Sequence, residues 1–269
     1  MLSILEAGLS RRSKKSPDME HKEEILKIID EHYPEIAVML IKELLTEDKN
    51  AFNMGKIMRV LNVFETGSLT QDYSSIFIMA DGPNKIKQIT LGKGLTEFGN
   101  LSKLIENYAE ADGEFSEDLK PYVGRIGKRP SLHSDSSLKR ILKEAGSDPV
   151  MREEQDKIFA EKYWIPAKDF FDKNGFKEAL SMLVIADSTL HSGSIPSWLR
   201  KRFAEKPPAS GGSERKWIEE YVRVRHDWLW SKGGLLRNTT YRTNCFKDII
   251  KRGDWDLSEP INANGIIVN

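Results

Sequence analysis

Residues 176–191, FKEALSMLVIADSTLH, are the most apolar long run of the chain, and they restrict its fold more than any other stretch. Ala179, Leu180, Met182, Leu183, Val184, Ile185 and Ala186 fall on all sides of a helical turn, so the segment reads as a helix with no face left for solvent. Such a helix has to be enclosed by other elements, which predicts a helical protein built around it. Inside the run, Asp187 and His191 stand one turn apart on one face. A carboxylate buried there requires a partner of opposite charge, and the basic residues of the last third of the chain can supply one. The pair has no third ligand at a useful spacing, so no metal is expected.

The rest of the chain supplies the enclosing helices. Ile25, Ile28, Ile29, Ile36, Met39, Leu40 and Leu44 recur at three and four spacing, predicting two amphipathic helices divided by Pro34. These belong to an N-terminal helical extension, residues 1–49. Phe52, Ile57, Val60, Leu61 and Phe64 repeat the pattern up to Gly67, which sets Glu65 at a helix C-terminus. Further helices are read at 101–108, 135–145, 149–163, 166–174 and 216–230, the last behind a Ser213-Glu214 cap, and the chain closes on a helix or turn and an extended tail. Only residues 73–94 differ in texture: SSIFIMADG and KIKQITLGKG are short, β-branched runs joined by Asp81-Gly82-Pro83-Asn84, a hairpin signal with Asp81 at the bend. The fold class is therefore mainly α with a small β-ribbon, in two unequal lobes flanking a cleft.

Several function classes are disfavoured. Lys plus Arg and Asp plus Glu both number 41, so no excess of charge points to nucleic acid. Arginines interleave with Trp217, Tyr221 and Trp228 on the 216–230 helix, which reads as core plus solvated face. Glycines 92, 94 and 99 lack the spacing of a phosphate-binding loop, and neither a nucleotide nor any other cofactor is expected. Cys245 is the single cysteine, so no internal disulfide can form. No segment holds the ~18 apolar residues of a membrane span, and the N-terminal basic run follows its short apolar stretch, the reverse of a secretory signal.

Two carboxylates on separate elements remain, Glu65 and Asp81. Hydrolysis of a glycosidic bond needs such a pair, one group to protonate the leaving oxygen and one to activate water. The negative end of a helix disfavours an ionised carboxylate, which suits Glu65 to the protonating role.

The order of short motifs from residue 50 to 269 resembles the chitosanases, the family 46 glycoside hydrolases of the lysozyme superfamily. The segments that carry the resemblance are VFETGS, the Asp81-Gly82 turn, ITLGKGLTEFGNL, ALSMLVIADSTLHSG, GGSERKWIEEYVRVRHDWL and GDWDLSEPINANGIIVN. It implies a lysozyme-like catalytic domain at 50–269 and inverting hydrolysis, with Glu65 as general acid, Asp81 as general base and Thr90 holding the attacking water. It also implies a charge network in which Arg242 links Glu65 to Asp187, and Asp187 to Arg225. The family's substrate-binding Asp is replaced by Asn100, with Glu97 three residues earlier, and these two are the expected substrate contacts.

The expected partner is an amino-sugar polysaccharide, chitosan or else peptidoglycan, cleaved by a monomer. A bacterial protein acting outside the cytosol or in the periplasm by a non-classical route, or held in the cytoplasm until release, would reconcile that substrate with the missing signal. Two further readings stay open: a non-catalytic glycan-binding module on the same fold, and an unrelated helical interaction protein.

Overall fold

The computed structural model describes residues 51–269; the expected helices of the 1–49 extension lie outside the described residues. Helix α1 (Ala51–Thr66) leads into a three-stranded antiparallel sheet, β1 (Ile76–Met79), β2 (Gln88–Leu91) and β3 (Leu95–Thr96), in the order β1-β2-β3. There follow α2 (Leu101–Glu110), α3 (Ser116–Leu119), α4 (Ser136–Ala145) and α5 (Pro149–Phe159). The chain then returns through α6 (Ile165–Lys173), α7 (Ala179–Ser192), α8 (Ser197–Arg200), α9 (Glu214–Lys232), α10 (Gly234–Asn238) and α11 (Thr240–Arg252) to a terminal hairpin, β4 (Ile261–Ala263) and β5 (Ile266–Val268).

Two separate hydrophobic cores define two unequal lobes. The larger gathers side chains of α1, α6, α7, α9, α11 and the terminal hairpin. As its composition requires, α7 lies at the centre, with every residue from Ala179 to Thr189 buried. The smaller core joins Ile89, Leu91 and Leu95 of the sheet to Leu101, Leu104, Tyr108, Leu138, Leu142 and Met151 of α2, α4 and α5. Period-two alternation along β2 sends Ile89 and Leu91 into this core and leaves Gln88 and Thr90 on the other face.

Between the two cores the chain runs as one helical rod instead of the two helices expected from Pro166. A π-turn at Ala160–Trp164 connects α5 to α6, and Ile165 N–H reaches back five residues to Ala160 O. Proline is accommodated because the widened turn absorbs the hydrogen bond that Pro166 has no N–H to make. Ile158 packs in the smaller core and Phe159 in the larger, so this rod crosses from lobe to lobe.

The extended tail also proves to be more than a tail. Asn264 and Gly265 both have positive φ (52° and 90°), the geometry a two-residue hairpin turn demands. The hairpin buries Ile261, Ala263 and Val268 against the large core.

Candidate active site

Glu65 sits next to last in α1, and α11 holds that helix end in place. Tyr241 Oη donates to Phe64 O at 2.6 Å, and Arg242 Nη2 donates to the same carbonyl at 3.0 Å, satisfying an acceptor that a helix C-terminus leaves open. Gly67, at φ 70°, lets the chain turn away at once, its N–H bonded to Val63 O. Arg242 Nη2 also donates to Glu65 Oε1 at 2.6 Å, while the Glu65 side chain keeps 42% of its surface exposed. This carboxylate is thus bonded to Arg242 on one side and open to solvent on the other.

Behind it stands a buried charge network from three helices. Arg242 Nη1 donates to Asp187 Oδ1 at 2.7 Å and Arg225 Nη1 donates to Asp187 Oδ2 at 2.6 Å, all three side chains being nearly inaccessible. Burial by itself would raise the Asp187 pKa, but the two guanidinium groups outweigh it and hold the carboxyl below its ordinary value. For Arg242 burial opposes the charge, and Asp187 and Glu65 more than restore it. Beside them, burial and then the two arginines push His191 down to about 4. Cys245, its thiol raised to about 12 by burial and then by Asp187, is no nucleophile.

The histidine gives a testable pH dependence. Because the folded value lies below the unfolded one, the folded state binds fewer protons between the two, and stability rises with pH across that interval. The protein should lose stability as pH falls from about 6.5 to about 4, by at most about 3 kcal/mol after allowing for partial exposure. In denaturant titrations over this range, His191→Gln should flatten the slope; an unchanged slope would assign it to other groups.

The other candidate carboxylate lies beside the small sheet. Asp81 is exposed in the β1–β2 connection, and Gln88 Nε2 donates to its Oδ1 at 2.9 Å. Gln88 is itself 4% exposed and accepts from Phe98 N–H through Oε1, so β2 dictates where Asp81 points. Thr90 lies two residues further along the same face, in register with Phe77 on β1 and Thr96 on β3. Its hydroxyl oxygen is buried and makes no hydrogen bond among the described residues.

Glu97 corrects an expectation. Instead of meeting substrate it is fully buried, and its carboxylate accepts from Ile89 N–H, Ser131 Oγ–H and Leu132 N–H at 3.2, 2.7 and 2.6 Å. It ties the 131–132 loop to the sheet. Asn100 is half-buried at the start of α2, where its carbonyl accepts from Leu104 N–H.

Sequence reasoning missed a second buried ion pair. Lys93 Nζ lies 2.6 Å from Asp156 Oδ1, and Tyr73 Oη is 3.0 Å from both carboxylate oxygens. One carboxylate of α5 therefore fastens the loop descending from Glu65 and the turn that follows Thr90. Gln155 reinforces it, donating to Tyr73 O and accepting from Lys93 N–H. Gly92 is required here, since its φ is 48° and a Cβ would lie 2.9 Å from Tyr73 O. Burial raises the Asp156 pKa, and a single lysine offsets it only in part, unlike the two arginines at Asp187. A concavity of about 350 Å³ lined by Phe203, Lys206, Lys216 and Glu220 includes none of these groups.

Residues 59–261 match the model of glycosyl hydrolase family 46. A chitosanase of Bacillus subtilis (strain 168) is 24% identical over 247 residues, covering 84% of this chain and 87% of that protein. Among solved structures, a mutant chitosanase from Bacillus subtilis MY002 complexed with 6 GlcN superposes with a TM-score of 0.65 at 21% identity, covering 80% of this chain and 97% of that one. A family 46 chitosanase of Gynuella sunshinyii in complex with chitotetraose gives 0.63 at 20% identity, with 79% and 96% covered. Matched over most of its length and sharing the lysozyme-like architecture, the chain belongs to glycosyl hydrolase family 46.

Proposed function

We propose that this glycosidase cleaves β-1,4 bonds of a chitosan-type amino-sugar polysaccharide with inversion, Glu65 serving as general acid and Asp81 as general base. The observation that carries the reading is the Arg225–Asp187–Arg242–Glu65 chain of contacts. It fixes one half-exposed carboxylate on the large lobe, while Gln88 fixes the other on the small lobe. Relatives whose structures hold 6 GlcN and chitotetraose support the substrate class.

In the proposed reaction Glu65 donates its proton to the departing glycosidic oxygen. Asp81 takes a proton from a water on the opposite side of the sugar, and that water attacks the anomeric carbon. Inversion leaves room for the water, with carboxyl groups about 6.5–9.5 Å apart in such enzymes. Thr90, whose hydroxyl has no hydrogen-bond partner among the described residues, is assigned to orienting the water. Arg242 balances the charge left on Glu65 after the proton has gone.

Incubating the protein with chitosan and with purified peptidoglycan, then separating products by mass and reading the first-formed anomer by NMR, tests the reading. Chitosan should yield oligomers carrying the inverted anomer. Asp81→Asn should lower kcat by about 10²- to 10⁴-fold with the fold unchanged. If Asp81→Asn kept most of the activity, the base would have to be Asp72. Asp72 Oδ1 already accepts from Ser74 N–H and Oγ–H, leaving one oxygen for such a role.

A further inference from the structure

Lys93 stands in the turn between β2 and β3, flanked by Gly92 and Gly94 at φ 48° and 77°. Glycine on both sides leaves such a turn loose unless something outside its backbone holds it. The neighbouring strand holds little, because β3 contributes only Thr96 opposite Thr90 and Leu95 opposite Leu91. The Lys93 side chain supplies the hold. Its ammonium reaches α5, where it lies 2.6 Å from Asp156 Oδ1 and 4.5 Å from the centre of the Phe159 ring, and the Lys93 and Asp156 side chains are 2% and 1% exposed.

The same carboxylate holds a second segment. Residues 67–75 join the helix of Glu65 to β1, and from them Tyr73 places its Oη 3.0 Å from each Asp156 oxygen. Gly92 N–H donates to Ser75 O at 2.9 Å, so the two segments are also bonded to each other. Gln155, the residue before Asp156, contacts both of them through its amide. Further along the same helix, Ile158 packs in the small core and Phe159 in the large one. Asp156 thus fastens the end of Thr90's strand, and the chain descending from Glu65, to an element shared by both lobes.

A buried ion pair adds little net stability, because desolvation offsets most of the attraction, but few arrangements keep both charges bonded. The pair therefore gives its turn a defined geometry. A group that orients an attacking water needs that definition, since a misplacement of about 1 Å can cost about 10²-fold in rate. We propose that Lys93 and Asp156 are a positioning pair for the hydrolysis: they fix the end of β2, and with it Thr90, on the side from which the water attacks. The inference rests on the hydrolase reading above and adds two residues that act through Thr90.

The experiment uses two substrates, chitosan and the β-fluoride of a glucosamine oligomer. In the fluoride the C–F bond breaks as the water oxygen bonds to the anomeric carbon, Asp81 takes the water's proton, and fluoride leaves as an anion with little need of an acid. Glu65→Gln should therefore be slow on chitosan and close to wild type on the fluoride, whereas a fault on the water's side slows both. Lys93→Met should lower kcat by about 10²-fold on both substrates, with KM little changed. The double variant Lys93→Met/Asp156→Asn removes the charge that the single one leaves unpaired, so its melting temperature should recover toward wild type while kcat stays low. It also provides the test if Lys93→Met does not fold. A kcat that recovers together with the melting temperature, a kcat close to wild type in both variants, or a loss confined to chitosan or to KM would overturn the positioning role and leave the hydrolase reading intact. If the wild type cleaves neither substrate, both are overturned.

Discussion

Glu65→Gln is expected to reduce turnover by about 10²- to 10⁴-fold, the contribution of a positioned general acid, while leaving stability and glycan binding nearly as they were. The amide keeps the shape of the side chain, and its carbonyl oxygen can still accept from Arg242 Nη2, but it has no proton to give. Little stability should be lost, because the Glu65 side chain is 42% exposed and an ion pair so accessible to water contributes roughly 0–1 kcal/mol. Arg242 keeps its bonds to Asp187 and to Phe64 O. Reducing-end assays, calorimetric titration with a chitosan oligomer and thermal melts would check the three parts separately. A variant that retained a tenth of the wild-type kcat would remove Glu65 from its proposed role.

Asp187→Ala should have the largest effect on stability. It leaves Arg225 and Arg242, 0% and 3% exposed, without the carboxylate that each contacts. Breaking one member of a buried ionic group costs about 3–5 kcal/mol, a large share of the roughly 5–15 kcal/mol that holds a typical domain together. Activity should fall as well, because Arg242 loses the anchor that aims it at Glu65. Arg225→Met separates the two effects, since Asp187 would still be bonded to Arg242: the stability loss should be smaller and more of the activity should survive. Urea titration read alongside kcat would show this order, and a cost below about 1 kcal/mol for Asp187→Ala would mean that the network does not hold the site together.

Much of this arrangement was legible before any coordinates. The all-round apolar character of residues 176–191 required an enclosed helix, and Asp187 within it required cationic partners, because both demands are local and steep in energy. Gly67 marked the end of α1, and hence the place of Glu65, through its own conformational freedom. Caps written into the chain are real as well: Asp135 accepts from Leu138 N–H, and Ser213 accepts from Lys216 N–H. The Asn264-Gly265 hairpin was equally open to reading and was missed, its turn pair being overlooked inside what looked like an extended tail.

Other features could not be read from order along the chain. Glu97 follows a strand of the site and has the right chemistry for a sugar amine, yet the 131–132 loop folds over it and uses both of its oxygens. Lys93, Asp156 and Tyr73 are separated by up to 83 residues, and no periodicity connects them. Local propensity and hydrophobic pattern, which act between near neighbours, determined the helices, the ribbon and the exposure of Glu65 and Asp81. Which charged groups are solvated, which are paired and which strand positions Asp81 were decided only by tertiary packing, because desolvation and hydrogen bonding depend on what closes over a side chain, and for Asp187, Glu97 and Asp156 that includes a distant segment.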